Sequence, residues 1–166
     1  LRELDRVRGV HLARIYEEAR EEAIKEFQKL KYNPLFVAGI MLYWGEGDKL
    51  TRHATRLTNT DPKMIKLFIM FLHKVCRIPT VKIRSYILIY PDLDAQKCIA
   101  YWAVQSGLTT KNFSKCITIQ GRHKTKRLSY GVCTVVVSST YFKVKVARWI
   151  ELLPKELMSK NYYANI

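Results

Sequence analysis

The chain has 166 residues, of which 29 are Lys or Arg and 14 are Asp or Glu, so its formal net charge at pH 7 is +15. This length suits one domain with a full hydrophobic core and is too short for two ordinary domains. The longest uncharged apolar run falls short of the ~20 residues that a membrane helix needs, and no signal peptide is visible. We therefore expect a cytoplasmic or organellar protein that is not secreted. The cysteines stand apart in the sequence, which excludes a zinc knuckle and a disulfide framework.

The basic excess is concentrated in the body of the chain. Between residues 95 and 150 there are ten Lys or Arg residues and no Asp or Glu. Such a stretch indicates a polyanionic partner, because neutralising phosphates and releasing their counterions is the main sequence-independent contribution to nucleic-acid binding. A membrane surface would attract the same charge, but no basic amphipathic helix with an aromatic apolar face is present to insert into it. We expect a nucleic acid as the partner and no membrane.

The chain begins with a charged helical segment, 1–34, whose pattern differs from that of the rest. Apolar residues recur at helical spacing among charges of both signs until Lys31 to Pro34 breaks the pattern ahead of a second helix, 35–46. We interpret 1–34 as an N-terminal extension that leads in from an upstream segment, and 35–166 as the functional domain.

Alternating helical and strand patterns follow the second helix. They predict a strand in 51–60, a helix from Asp61-Pro62 to Cys76 and a strand over 81–90. A helix over 93–106 follows, which Pro91-Asp92 begins and Gly107 ends. Strands over 113–120 and 130–139 come next, and then a helix from Thr140 that Pro154 ends or kinks. On this last helix, Lys143, Lys145 and Arg148 are predicted to lie off the apolar face. The order predicts an α+β domain with one mainly antiparallel sheet that is backed by helices.

The two strands 51–60 and 81–90 place basic residues on one side. Two-residue alternation puts Arg52 and Arg56 together on the first strand. On the second strand it puts Lys82, Arg84 and Tyr86 opposite a face of Val81, Ile83 and other apolar residues. The sheet is therefore expected to be apolar towards its helices and basic on the other side. For the first strand, an edge strand made soluble by its charges is the alternative.

The uncharged helix 35–46 ends in a carboxylate, Glu46, followed by Gly47. An acid in the last turn interacts unfavourably with the helix dipole. Gly47 is predicted to take the left-handed conformation common after a helix, and the terminal carbonyls together with Glu46 could form an oxygen-rich site for a hard divalent cation. A core helix with a frayed, solvated end is the alternative interpretation.

At this helix the chain resembles a known family. The segment GIMLYWGEG, 39–47, resembles the LAGLIDADG motif of homing endonucleases, with Gly45-Glu46-Gly47 in the place of Ala-Asp-Gly. The downstream segments RLTNTDP, 56–62, and GVCTVVVSST, 131–140, each followed by a helix, extend the resemblance over about residues 35 to 153. It looks closest to bacterial LAGLIDADG-like proteins with a Leu-Tyr-Trp-Gly-Glu-Gly version of the motif, which implies a bacterial cytoplasmic or an organellar location.

The resemblance implies a saddle-shaped sheet that reads double-stranded DNA and a homodimer joined along the motif helix. Glu46 is then the Mg²⁺-binding acid, and the carbonyl of Gly45 is a second metal ligand. A basic residue near the scissile phosphate would support its charge, and Lys49 and Lys124 are the catalytic candidates. The expected dimer interface comprises Val37, Gly39, Ile40, Tyr43 and Trp44.

The expected DNA-binding residues are basic or aromatic and lie on the two strands or in neighbouring loops. They are Lys49, Arg52, Arg56, Lys82, Arg84, Tyr86, Lys115, Arg122, His123, Lys124, Lys126 and Arg127. Those in the loop 121–128 are expected to hold backbone phosphates, which position the DNA without specifying its sequence.

The function these features predict is Mg²⁺-dependent, site-specific cleavage of a near-palindromic double-stranded target by a homodimeric homing-type endonuclease. The alternatives are a non-catalytic DNA-binding transcriptional regulator with the same fold and an intron-RNA splicing helper.

Overall fold

The computed structural model describes residues 2–120 and 128–159. Its helices are α1 (Arg2–Leu30), α2 (Pro34–Glu46), α3 (Pro62–Met70), α4 (Ala95–Ser106) and α5 (Thr140–Leu157), and its strands are β1 (Thr55–Asn59), β2 (Arg84–Ile89), β3 (Ile117–Thr118) and β4 (Val132–Val137). A π-helical turn, Phe71–Val75, continues α3, and single 3₁₀ turns span Thr80–Lys82 and Thr110–Asn112. None of the helices in these ranges is both long enough and apolar enough to cross a bilayer.

The α+β class is confirmed, but the strand directions differ from the prediction. One open four-stranded sheet has the order β1-β4-β2-β3, and β4 is antiparallel to both β1 and β2. The prediction of a mainly antiparallel sheet is wrong, because β3 runs parallel to β2 and the sheet is mixed. Helix α4 connects these two strands, and a helical crossover returns the chain in its original direction.

The sheet has one buried and one open face. Leu57, Ile87 and Val135 lie on the same face of the sheet, where they join the core formed with the helices. The opposite face carries Arg56 and Arg84, together with the residues two positions further along each strand, Thr58 and Tyr86. These side chains do not belong to that core. The predicted division into an apolar side and a basic side therefore holds for β1 and β2.

The second half of α1 belongs to the same core as the sheet. Ala23 and Phe27 are fully buried, and the indole Nε1 of Trp149 in α5 donates a hydrogen bond to the carbonyl of Ala23 over 3.0 Å. The predicted domain boundary at residue 34 lies at the start of α2. Asn33, the residue before it, accepts hydrogen bonds through its side chain from the first turn of this helix. The two helices on either side of this boundary share one hydrophobic core.

Local signals set most helix ends. Asp61 caps α3 with Pro62 at its first position, and Gly107 ends α4 with φ of 76°, both as predicted. The predicted start of α4 at Pro91-Asp92 is too early, because Asp94 is the residue that accepts from the first backbone amides.

The last predicted helix end and strand also differ from the structure. Pro154 does not end α5, which continues to Leu157. The predicted strand 113–120 is reduced to Ile117–Thr118, apart from a single bridge between Phe113 and Ser85. The preceding 3₁₀ turn occupies the chain up to Asn112, whose side-chain amide donates to the carbonyls of Thr80 and Ile83.

Candidate nucleic-acid interface

Helix α2 delivers its acidic end directly to the edge of the sheet. Gly47, the residue after the helix, forms an antiparallel bridge with Leu57, and the amide of Asp48 donates to the carbonyl of Arg56 over 2.9 Å. The predicted left-handed conformation of Gly47 is wrong, since its φ is −79° and its ψ is 151°. Glycine is required here for space: a Cβ atom would lie 2.4 Å from the ring of Tyr43 and from the Tyr43 carbonyl oxygen.

Lys49 lies at the end of α2 and interacts with its backbone. The Nζ atom donates to the carbonyl oxygen of Trp44 over 2.8 Å, and the side chain is otherwise exposed. A cation at the C-terminus of a helix is stabilised by the helix dipole, so Lys49 offsets part of the cost of placing Glu46 there. Its predicted roles in catalysis and DNA binding remain predictions.

Glu46 offers part of a metal site. Gly45 and Glu46 are exposed, and the Glu46 carboxylate has no hydrogen-bond or ion-pair partner within residues 2–120 and 128–159. The next carboxylate, Asp48, is engaged: it accepts from the amides of Leu50 and Thr51 and from the Thr51 hydroxyl, which hold its pKa below the usual value.

Within the same described ranges, no three His, Cys, Asp or Glu side chains are grouped as metal ligands. A hard cation such as Mg²⁺ prefers near-octahedral oxygen coordination and usually takes one or two carboxylates. The donor set of one protomer therefore fits Mg²⁺ only as a half-site that a second Glu46 would complete.

The predicted interface residues of α2 divide between two faces of the helix. Gly39, Ile40 and Tyr43 are buried in the core of their own chain, and a Cβ atom on Gly39 would lie 2.1 Å from the ring of Phe71. The close approach that this glycine permits is therefore within one protomer.

The other side of α2 carries apolar side chains that the described residues cover only in part. Met41 and Trp44 are 43% and 42% exposed, and Val37 and Ala38 are partly exposed. We refer to Val37, Ala38, Met41 and Trp44 as the α2 stripe. Their spacing of three or four residues aligns them along the helix axis.

Two arginines flank the central strand on the open face of the sheet. Arg56 of β1 and Arg84 of β2 both pair with Val136 of β4, so the three side chains form one row. Arg84 is exposed, and its Nη1 donates to the carbonyl of Lys111 over 3.0 Å, which fixes the direction of the guanidinium. The Nε atom of Arg56 is buried and has no hydrogen-bond partner among the described residues.

The next row is polar and aromatic. Thr58 and Tyr86 both pair with Thr134, and the hydroxyls of Thr58 and Thr134 are 2.8 Å apart. Tyr86 is partly exposed. Together the two rows place arginine, tyrosine and threonine side chains on the sheet face opposite the core helices of the described residues.

The remaining predicted contacts lie around this face. Arg52 is exposed just before β1, Lys115 is exposed just before β3, and Lys82 is exposed on its 3₁₀ turn beside a surface cavity of about 450 Å³. The prediction that Val81 is buried is wrong, because it belongs to the same turn and is 78% exposed. The loop residues Arg122, His123, Lys124, Lys126 and Arg127 lie outside the described residues.

A buried lysine of α5 lies beside the end of α2. Lys143 of α5 is 8% exposed, and its Nζ donates to the Tyr43 hydroxyl over 2.6 Å and to the Asp48 carbonyl. Burial lowers the pKa of Lys143 and raises that of Tyr43 to about 12. Lys145 is buried as well, so a position off the apolar face of α5 leaves neither lysine exposed. No local signal marks them, because the residues that cover them come from α1 and α2.

Comparisons of the chain with models of known protein families, with curated proteins and with solved structures gave no match.

Proposed function

We propose that the protein is a homodimeric, site-specific DNA endonuclease of the homing type. The observation that carries the proposal is the row of Arg56, Val136 and Arg84 on the open face of the sheet. Arg56 belongs to edge strand β1, and Gly47, the residue after Glu46, forms an antiparallel bridge with Leu57 of the same strand. An arginine-bearing sheet face is thereby adjacent, in the same protomer, to a carboxylate that has no partner among the described residues.

The spacing of the two arginines suits the major groove. They lie on strands separated by one other, which corresponds to about 10 Å at the usual strand spacing. This is comparable to the ~12 Å width of the major groove, and arginine is the side chain that most often reads guanine there. Lys82 and Lys115, at the margin of the face, are placed to contact phosphates.

The α2 stripe supplies a surface for the second protomer. An apolar helix face that carries exposed Met41 and Trp44 costs free energy in water, and self-association along a two-fold axis would bury it twice. Because Glu46 follows the stripe on the same helix, this packing brings the two carboxylates towards one another. We infer that the interface uses Val37, Ala38, Met41 and Trp44, with Gly39, Ile40 and Tyr43 supporting it from within each protomer.

The chain's own residues bind and orient the DNA and hold the acids in place. The arginine row fixes the register of the duplex, and Lys49, bound to the Trp44 carbonyl, keeps the end of α2 ordered. The two Glu46 carboxylates, with the Gly45 carbonyls, would hold Mg²⁺. When bound, this ion supplies an activated water and stabilises charge on the phosphate oxygens.

A cleavage assay tests the proposal. Plasmid that carries the sequences flanking the gene is incubated with the protein and Mg²⁺, and cleavage is compared for the unmodified protein, Glu46→Gln and Glu21→Gln. Glu21 is an exposed acid on α1, far along the chain from α2, and serves as the matched control. We expect cleavage by all but Glu46→Gln.

Two other results would favour one of the alternative functions over the endonuclease. DNA that is bound specifically but stays intact would indicate the non-catalytic regulator, since binding through the open arginine face would not need the Glu46 carboxylate. Preferential binding of structured intron RNA, with stimulated splicing, would indicate the splicing helper.

A further inference from the structure

A basic cavity lies where α1, α5 and the segment between α2 and β1 meet. It has a volume of about 340 Å³, and its polar lining comes from Tyr16, Arg20, Lys49, Thr51, Arg52 and Lys143. This volume corresponds to roughly ten water molecules at ~30 Å³ each. None of its lining residues belongs to a strand, so it is separate from the rows of the open sheet face.

The lining is cationic without a compensating acid. Four of its side chains are Lys or Arg, and none of the described acidic side chains lines it. Arg20 is paired at 3.2 Å with Glu17 of its own helix, but both side chains are more than half exposed, and such a surface pair is weak. The nearby Asp48 carboxylate is directed to the amides and hydroxyl of its own turn.

Lys143 makes this lining unusual. Its ammonium group is buried, and both of its hydrogen-bond partners, the Tyr43 hydroxyl and the Asp48 carbonyl, are neutral. An ammonium has three N–H donors, so one is left over. Burial lowers the pKa of Lys143, the nearby Asp48 carboxylate opposes this shift, and the charges of Lys49 and Arg56 add to it. An anion in the cavity would offset the repulsion between these cations and part of the cost of burying the ammonium.

We propose that this cavity binds a phosphate group of the DNA backbone, at a point where the duplex extends past edge strand β1. Thr51 and Arg52 line the cavity and lead directly into β1, and Arg56 of the open face is close enough for its charge to act on Lys143. A continuous basic path therefore connects the arginine row with the cavity. In this role α1 is a part of the DNA-binding surface, which it completes with Arg20. The inference rests on the proposed function.

The test measures DNA affinity against salt concentration for three variants, without Mg²⁺ so that the DNA stays intact. Arg20→Ala removes a cation of the cavity, and Arg14→Ala is its matched control, because Arg14 is also exposed on α1 and paired with a glutamate, Glu18, of the same helix. Lys143→Met removes the buried charge. Each phosphate contact contributes about 0.9 to the slope of log K against log salt.

We expect Arg20→Ala and Lys143→Met each to lower this slope by about 1 and to weaken binding about fivefold at 0.15 M salt, equally for the preferred site and random DNA. Arg14→Ala should change neither. Arg20 is exposed and not part of the core, so its variant remains informative if Lys143→Met fails to fold.

Three results would overturn the inference. If the slopes of Arg20→Ala and the unmodified protein agree while Arg84→Ala still weakens DNA binding, the cavity does not hold a backbone phosphate and the proposed function stands. If calorimetry shows that the DNA-free protein binds pyrophosphate and Arg20→Ala abolishes this binding without changing the DNA slope, the cavity serves a free phosphate compound. If Arg84→Ala also leaves DNA binding unchanged, the proposed function fails together with the inference.

Discussion

The Nζ atom of Lys143 donates a hydrogen bond to the hydroxyl of Tyr43 over 2.6 Å and lies 5.1 Å from the centre of the same tyrosine ring. This contact joins the first turns of α5 to the last turn of α2, one turn from Glu46. The Tyr43 hydroxyl in turn donates to the carbonyl of Asp48, so it connects the lysine with the segment that enters β1. The orientation of the acidic helix end therefore depends on a residue 100 positions away in the sequence.

Tyr43→Phe should destabilise the protein by about 1–2 kcal/mol. The variant keeps the ring but removes one acceptor from the buried ammonium of Lys143 and one donor from the Asp48 carbonyl. Urea unfolding measures the change. Tyr130→Phe is the control, because Tyr130 stacks on Tyr101 through its ring, its backbone carbonyl accepts from Trp102, and its hydroxyl has no hydrogen-bond partner among the described residues. Equal stability of the two variants would show that the Tyr43 hydroxyl contributes nothing.

Gly39→Ala should destabilise the protein by about 1–3 kcal/mol, while Gly45→Ala in the same helix should stabilise it or leave it unchanged. A methyl group at Gly39 would overlap the ring of Phe71, whereas the position at Gly45 is open. Alanine also has the higher helix propensity at both sites. Thermal unfolding of the two variants at matched concentration measures the difference. Similar melting temperatures would mean that Phe71 can move aside.

Glu22→Gln should reduce the dependence of stability on pH in the acid range. The hydrogen bond from Tyr141, together with Lys145, holds the pKa of Glu22 below its usual value. The contribution of the ionised Glu22 to the free energy of unfolding is therefore fully present above about pH 4.5. It is lost as the pH falls through the lower pKa of the folded state, because the unfolded chain takes up this proton at a higher pH.

Unfolding free energies at pH 3 to 7 measure this effect. The Glu22 side chain is partly exposed, so its contribution at neutral pH should be no more than about 1 kcal/mol. Glu21→Gln, at the exposed neighbouring position, should leave the pH profile as it is. A Glu22→Gln profile parallel to that of the unmodified protein would exclude this linkage.

Met41→Lys and Trp44→Lys should weaken self-association with little effect on the stability of the protomer. Met41 and Trp44 are 43% and 42% exposed, so a lysine at either position opposes burial against a second copy but extends its ammonium into solvent in the monomer. Sedimentation equilibrium measures the dissociation constant. Val104→Lys, at an exposed apolar position on α4, is the control. Dimers of unchanged affinity in the Met41 and Trp44 variants would place the interface elsewhere.

Arg84→Ala should weaken binding to a preferred DNA site by about 1–3 kcal/mol and affect random DNA less. The guanidinium is exposed on the open face and oriented by the Lys111 carbonyl, as a residue that reads base edges must be. Lys63→Ala is the control, since Lys63 is an exposed cation on α3, in the helix layer. Equal losses on specific and random DNA would assign Arg84 to phosphate contact instead.

Several features followed directly from neighbouring residues. The alternation around Ile87 predicted which face of β2 is buried, and Asp61-Pro62 and Gly107 predicted where α3 begins and α4 ends. Capping and two-residue alternation act over a few positions, so the information is complete within each segment. The open basic face containing Arg56 and Arg84 was predictable for the same reason.

The sequence by itself determined the helices, the α+β class and the side of the strands that carries the arginines. Only the tertiary structure decided that β3 is parallel to β2, that Gly39 faces Phe71 of the same chain, and that Lys143 is buried beside the acidic end of α2. These features depend on contacts between segments that are distant along the chain. The burial of a lysine is set by the helices that cover it, and no pattern within its own helix records them.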